Sequence, residues 1–254
     1  MKLLKAMAIA FSIYSKIPVP QFEWKEEDME YMMCFFPWIG GGIGMFFFGW
    51  AVLCEKFAVG NVCYALIGAA IPLMISGGFH VDGYMDTMDA FHSYQSREKK
   101  LEILKDSHIG AFAAIMLALY YMIDIAAISE IHTQKAVSAV AAVFFLARCF
   151  SGIAVMTLQP AKKEGLLYTF ASSAQKVRVK AALYFQAVLC VVFMLLVSGW
   201  YGAAAIGAVL LSFFYFKKKS YKELGGITGD TAGFFVTVCE AAAAAAVAVT
   251  GYFL

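Results

Sequence analysis

The chain has 254 residues, of which 62% are hydrophobic and only 15% are charged. A soluble domain carries about 25% charged residues, so this composition excludes an ordinary soluble protein and favours a polytopic membrane protein. The formal net charge of +2 is close to neutral and predicts no nucleic-acid partner.

The first twenty residues resemble a signal peptide, with early lysines and an apolar middle, but they lack a small-residue cleavage motif. Their polar residues fall on one narrow helical stripe, and Pro18 ends the apolar run. We therefore expect an amphipathic helix lying along the inner membrane surface rather than a cleaved leader.

Seven later segments are apolar enough, and nearly long enough, to cross a bilayer. They run approximately over 34–54, 62–79, 110–129, 136–158, 181–198, 202–216 and 231–250. The fifth and sixth are interpreted as a hairpin that is pinched at Gly199–Gly202. The six cysteines lie within or beside these apolar runs and lack metal-ligand spacing, which predicts small buried hydrophobic side chains without a disulfide framework. The expected fold is all-α: a single integral membrane domain over residues 1–254, a helical bundle of about seven transmembrane helices plus an N-terminal amphipathic helix.

The loops give the orientation of this bundle. With seven spans, the segments 1–33, 80–109, 159–180 and 217–230 share one side, and they hold nearly all the loop lysines and arginines. The opposite loops keep Lys56 and Lys135. Positive loops stay in the cytoplasm, so we expect a multi-pass protein of the inner membrane with its amino terminus inside.

Three ionisable residues lie inside predicted spans, namely Asp124, Arg148 and Glu240. Charges at that depth usually have a partner or a task. Counted from the cytoplasmic ends at about 1.5 Å per residue, Arg148 and Glu240 both lie roughly 14–15 Å deep. We predict that they form a structural ion pair between the fourth and seventh spans.

Three carboxylates follow the second span. On a helix, Asp82, Asp86 and Asp89 stand at i, i+4 and i+7, within about 60° of one another on one face. Unpaired, such like charges repel, whereas a divalent cation reverses that penalty. Hard oxygen ligands suit Mg²⁺ that holds phosphate groups, and the alternative is a solvated acidic turn.

Two further loops on the same side carry residues that are typical of phosphate-binding sites. The first ends at Lys105, a phosphate-binding candidate that could equally be an interfacial lysine without a partner. The second, Gly225–Thr231, is rich in glycine and opens directly into the last span, and a helix amino terminus attracts phosphate. Together with the aspartates they predict a site for phosphoryl-type transfer, in which carboxylates hold the metal and cations screen charge. A carboxylate or His80 would accept the proton of an attacking hydroxyl, although His80 is otherwise interpreted as an interfacial residue.

At these residues the sequence resembles the cobalamin synthase family, the adenosylcobinamide-GDP ribazoletransferases. The resemblance covers essentially the whole chain. Its marks are Tyr14–Pro20, His80–Gly83 with Asp86–Asp89, Lys105–Ser107 with Ile109–Phe112, and Gly226–Thr231.

This resemblance implies a Mg²⁺-dependent membrane transferase of late cobalamin biosynthesis, of the phosphotransferase type. It would join adenosylcobinamide-GDP to α-ribazole, or its 5′-phosphate, and release GMP, with the active site facing the cytoplasm. Its partners would be the corrinoid nucleotide, the ribazole substrate and the lipid bilayer.

The resemblance also implies roles for single residues. Asp82 and Asp86 would bind Mg²⁺, and Asp89 would bind metal or act as the base. Asp106 and Asp230 would contribute further carboxylates, as for a second metal, and Lys105 and Thr228 would contact phosphate. Ser107 joins the predicted substrate-binding set as part of the Lys105–Ser107 element.

Two other functions are weighed. A CDP-alcohol phosphatidyltransferase-like enzyme also uses spaced aspartates, but its Asp-Gly-x-x-Ala-Arg pattern fails here, because Met85 and Asp86 follow Tyr84. A transporter would place its polar residues near the membrane midplane rather than at the edge. The sequence leaves open the oligomeric state, association with other enzymes of the pathway, the number of metals and the identity of the base.

Overall fold

The computed structural model describes residues 2–20, 25–162 and 164–254. Within these ranges the chain forms eleven α-helices and two short 3₁₀ helices, the latter over Glu26–Met29 and Met32–Cys34. The α-helices are α1 (Lys2–Tyr14), α2 (Phe36–Lys56), α3 (Asn61–Ser76), α4 (Phe79–His92), α5 (Arg97–Ile103), α6 (Ala111–Ile128), α7 (Gln134–Thr157), α8 (Leu166–Ser173), α9 (Lys176–Ser198), α10 (Trp200–Leu224) and α11 (Gly229–Gly251). The predicted all-α fold is confirmed.

Six of these helices are long and apolar enough to cross a membrane, namely α2, α6, α7, α9, α10 and α11. Helices α3 and α4 pass the same test as a pair that is bent by 97°, which gives seven spans when the pair is counted as one. The expectation of about seven spans is therefore met, with one broken. The sixth is longer than predicted, since α10 begins directly after Gly199 and continues to Leu224.

The bend between α3 and α4 replaces the straight second span predicted over 62–79. Gly77 and Gly78 have φ angles of +66° and +86°, and these left-handed conformations end α3 and begin α4. Glycine adopts them without the steric penalty that a Cβ would bring. A backbone hydrogen bond of 2.7 Å from the Lys16 N–H to the Ile75 carbonyl ties the segment after α1 to this corner. Helix α4 consequently turns away from the axis of α3 and packs against α11 and α6.

Helices α7 and α11 form the centre of the bundle. About 83% of the most apolar stretch of α7 and 72% of that of α11 are buried, against 28% for α9. Helices α2 and α9 pack against α7, α4 and α6 pack against α11, and α10 packs against both, mainly against α11. The outer helices expose large apolar side chains such as Met45, Met122 and Leu196, as expected for surfaces in contact with lipid.

The ion pair predicted inside the membrane is confirmed. Arg148 Nη1 donates to Glu240 Oε1 at 2.7 Å and to the Phe144 carbonyl at 2.8 Å. Arg148 is only 1% exposed, so the pair joins α7 to α11 within the core. Asp124, on α6, is also buried and lies within electrostatic range of Glu240.

The amphipathic N-terminal helix and the free cysteines are also found. Helix α1 buries Ala6, Ile9 and Ala10, and it exposes Leu3 and Leu4 beside its lysines. All six cysteines are free thiols; Cys63 is exposed, unlike the buried residue that its apolar surroundings suggested.

Candidate active site

The three aspartates of the acidic cluster lie on one helix, as the spacing predicted. Asp82 is in the first turn of α4 and is exposed, whereas Asp86 and Asp89 are half-buried. Asp86 lies within electrostatic range of Asp82, Asp89 and Asp230. The fold therefore gathers negative charge at the contact between α4 and α11.

Helix α11 approaches α4 at a glycine. A Cβ placed on Gly83 would lie 2.8 Å from the Asp230 carbonyl oxygen and 2.9 Å from its Cα, so only glycine allows this approach. At the start of α11, Thr228 Oγ1 accepts from the Thr231 N–H at 3.1 Å, and Thr231 Oγ1 accepts from the Thr228 N–H at 2.8 Å. This capping box fixes the first turn, and the Thr228 hydroxyl also donates to Asp230 Oδ2 at 3.3 Å. The acidic cluster on α4 and the glycine-rich loop, which were predicted to form one site, thus meet.

Asp89 has a different environment from the other two aspartates of α4. Its Oδ2 accepts from the Gly110 N–H at 2.7 Å and its Oδ1 from the Ala113 N–H at 2.9 Å. These donors belong to the amino terminus of α6, where a carboxylate is favoured by the helix dipole. Asp89 therefore anchors α6 to α4, and its role as metal ligand or base stays a prediction.

A cavity of about 520 Å³ opens beside Asp82 and Asp230. Its wall combines parts of α1, α4, α7, α8 and α11 with the loops that follow α5 and α7. All four segments that the charge pattern assigned to one side thus contribute to one cavity. An adjoining groove of about 540 Å³, between α1 and α4, also has Asp82 on its wall.

The polar end of this cavity holds two lysines. Lys105 Nζ pairs with Glu164 Oε1 at 2.6 Å, and Lys162 Nζ donates to the Leu101 carbonyl at 2.9 Å. Burial, together with the neighbouring Lys105 charge, lowers the pKa of Lys162. The hydrogen bond and charge of Lys105 lower the pKa of the Glu164 carboxyl. Two cations therefore line the same cavity as Asp82 and Asp230, a combination suited to binding a phosphate group.

The other end of the cavity is aromatic. It is lined by Tyr14, Phe36, Phe79, His80 and Phe170. His80 is 5% exposed, and neither ring nitrogen has a hydrogen-bond partner among the described residues. The predicted catalytic histidine thus lies within the site, but among rings rather than among the carboxylates.

Four predicted site residues do not line the cavity or the groove: Asp86 and Asp89, described above, and Asp106 and Ser107. Asp106 Oδ1 accepts from the His108 N–H at 3.0 Å and pairs with His108 Nδ1 at 2.6 Å, and these contacts lower the pKa of its carboxyl. Asp106 and Ser107 are exposed, and neither lines the cavity or the groove.

Sequence reasoning did not single out Lys162, Glu164 or Phe170. The two charged residues lie in a loop rich in lysine, where composition does not distinguish a site residue from a solvated one. The sequence indicated Tyr14 only as the first residue of the Tyr14–Pro20 motif. No local signal showed that α1 and α8 would reach the aspartates of α4.

The residues present fit magnesium in part. Within the described ranges, no group of three or more His, Cys, Asp or Glu side chains is arranged to hold a metal ion. Asp82 and Asp230 nevertheless line the same cavity, with Asp86 beside them. Mg²⁺ is usually bound by one or two carboxylates, with water and substrate phosphates completing its coordination, so this donor set fits it.

Comparison with known proteins places the chain in a family. A family model described as cobalamin-5-phosphate synthase matches residues 6–248. The chain is 43% identical over 249 residues to an adenosylcobinamide-GDP ribazoletransferase of Lachnoclostridium phytofermentans, covering 98% of this chain and 95% of that relative. A Clostridium botulinum protein with the same description is 31% identical, covering 94% of each chain. No solved structure matches the chain. The chain therefore belongs to the cobalamin-5-phosphate synthase family.

Proposed function

We propose that this chain is an adenosylcobinamide-GDP ribazoletransferase that joins adenosylcobinamide-GDP to α-ribazole, or to its 5′-phosphate, and releases GMP. The observation that carries the proposal is that Asp82, Asp230, Lys105 and Lys162 line one cavity. The descriptions of the relatives name the same activity over nearly the whole chain.

In the proposed reaction, a ribose hydroxyl of ribazole attacks the phosphorus that is attached to the corrinoid arm. The P–O–P bond breaks, GMP leaves, and the hydroxyl proton passes to a carboxylate of the cluster and then to solvent. Asp82 and Asp230 line the cavity and would take that proton, with Asp86 within electrostatic range of both.

The cationic side chains bind the diphosphate. Lys105 exchanges its ion pair with Glu164 for a phosphate oxygen, while Lys162 remains fixed by its bond to the Leu101 carbonyl. Together the two cations screen the charge of the substrate and orient the phosphorus that reacts.

Asp82, with Asp86 or Asp230, would hold Mg²⁺ in this site. When bound, the ion would neutralise the diphosphate and polarise its phosphoryl oxygens. Asp82 also borders the groove between α1 and α4, so substrates have access to it from two sides.

The protein would act in the inner membrane with this cavity facing the cytoplasm. The support is the distribution of loop charge, since the segments that build the cavity carry nearly all the loop lysines and arginines. The substrates are large and soluble, and a cytoplasmic cavity would receive them directly.

The test is GMP release by the purified protein in liposomes, with both substrates and with or without Mg²⁺. We expect Mg²⁺-dependent release by the wild type and a loss of about 100-fold or more in Asp82→Ala. Glu102→Ala, which removes an exposed carboxylate paired with Lys99, is the matched control and should behave as wild type. A CDP-lipid with an alcohol should give no product. An active Asp82→Ala variant, or a wild type that releases no GMP, would overturn the proposal.

A further inference from the structure

The imidazole of His80 has an unusual position in this cavity. Its ring lies parallel to that of Tyr14, with an interplanar angle of 10° and 6.1 Å between centroids. The rings of Phe36 and Phe79 also lie near it, each with its centroid at 5.7 Å. Both nitrogens are buried and have no hydrogen-bond partner in the described part of the chain. A buried polar group without a partner costs free energy, so the site favours a ligand that supplies one.

The contact with α11 does not require an imidazole at this position. The contact of His80 with α11 is made by its backbone, since its carbonyl accepts from the Thr237 hydroxyl at 3.2 Å. Gly233 also packs against this backbone, where an added Cβ would lie 3.0 Å from the His80 carbonyl oxygen. A phenylalanine would keep these contacts and avoid the unpaired nitrogens.

The lining of this end of the cavity narrows the chemistry of its ligand. Besides the rings, it contains Met33, Val155 and Leu167, with Ser151 supplying one hydroxyl. A guanine base carries several donors and acceptors along its edge, which this lining would leave unpaired. A flat, apolar bicyclic base with one acceptor nitrogen needs a single donor, which neutral histidine provides. The benzimidazole of a ribazole is such a base.

The geometry points to the aromatic end of the cavity as the subsite for the benzimidazole of the ribazole substrate, with a ring N–H of His80 donating to the base nitrogen. This inference rests on the proposed function and adds the orientation of its nucleophile. His80 and Asp82 are two residues apart on α4 and line the same cavity, so a base held at His80 directs its ribose towards the carboxylates. Because the His80 nitrogens are buried, the ring of Tyr14 or Phe36 changes rotamer when the base enters, as interface side chains commonly do.

The test compares two ribosides that differ at one atom. In an indole riboside a C–H replaces the acceptor nitrogen of benzimidazole, while size and shape are kept. We expect kcat/KM of the wild type, measured by GMP release, to be about tenfold lower with the indole riboside. His80→Phe should lower kcat/KM for the benzimidazole riboside about tenfold and bring the ratio between the two ribosides close to one. The KM for adenosylcobinamide-GDP should stay within about twofold.

Two further variants complete the design. His80→Gln keeps an N–H donor and should retain part of the preference for benzimidazole. His132→Phe removes a histidine at the other end of the bundle, where its Nε2 contacts the Ser129 carbonyl, and it should leave the ratio unchanged.

Three results would overturn the inference. They are equal kcat/KM of the wild type for the two ribosides, an unchanged preference in His80→Phe, and a rise in KM for the corrinoid nucleotide alone. If the wild type releases no GMP with either riboside, the proposed function fails instead. The subsite is then tested by calorimetric titration of the wild type with each riboside, and equal Kd values would refute it.

Discussion

The ion pair between Arg148 and Glu240 allows a quantitative test of how the bundle is held together. Their side chains meet at 2.7 Å, and Arg148 is almost completely buried. Glu240→Ala leaves the guanidinium without its counter-charge, which costs about 3–5 kcal/mol for buried pairs. A chain of this size loses roughly 2–4 °C of melting temperature per kcal/mol, so we expect a decrease of about 6–20 °C. Thermal unfolding of the detergent-solubilised protein, followed by circular dichroism, measures it.

The control for this experiment is an exposed ion pair. Glu102→Ala removes the partner of Lys99 on the surface, where such pairs contribute about 0–1 kcal/mol. A double variant, Arg148→Met with Glu240→Leu, removes both buried charges and should recover most of the loss. If Glu240→Ala and Glu102→Ala melt within about 2 °C of each other, the reasoning is refuted.

Further predictions concern the site. Gly83→Ala places a Cβ against the backbone of α11, so GMP release should fall about tenfold or more while the chain still folds. Gly49→Ala is the control, because its Cβ would meet nothing within 4 Å. Equal rates of GMP release in the two variants would contradict the prediction. The lowered pKa of Lys162 means that its ammonium is lost at a lower pH than that of a free lysine, about 10.4. The KM for the diphosphate substrate should therefore rise as pH approaches that range from below, and a Lys162→Arg profile with the same alkaline limb would refute the assignment. Asp89→Ala removes two hydrogen bonds to α6 and should lower the free energy of unfolding by about 1–2 kcal/mol even without Mg²⁺, which denaturant titration checks.

Span lengths, loop charge and helical spacing were enough to predict much of the fold and part of the site. Span counting and loop charge placed the acidic cluster and the glycine-rich loop at the same end, and the structure brings them to one cavity. Depth along two helices was enough to pair Arg148 with Glu240, because an unpaired charge in a bilayer is so unfavourable. The helical spacing of the α4 aspartates was also correct.

What the sequence could not supply depends on contacts between distant segments. Glycine pairs are common in turns and in helices alike, so Gly77–Gly78 did not reveal a bend of 97°. Helical spacing put Asp89 with the other two aspartates, yet the side chain bonds the amino terminus of α6, whose position is fixed by tertiary packing. The lack of hydrogen-bond partners for the His80 ring nitrogens, among the described residues, likewise depends on which side chains the fold places around them.

Because of the bend at Gly77–Gly78, we expect the position of the acidic residues on α4 to depend on bilayer thickness. Helix α3 has 16 residues and so spans about 24 Å, less than the hydrocarbon depth of about 30 Å. Long acyl chains would strain this short segment or draw α4 inwards, whereas thin bilayers would match it. Asp82 lies in the first turn beyond this bend, so we expect bilayer thickness to change how far its carboxylate projects into water.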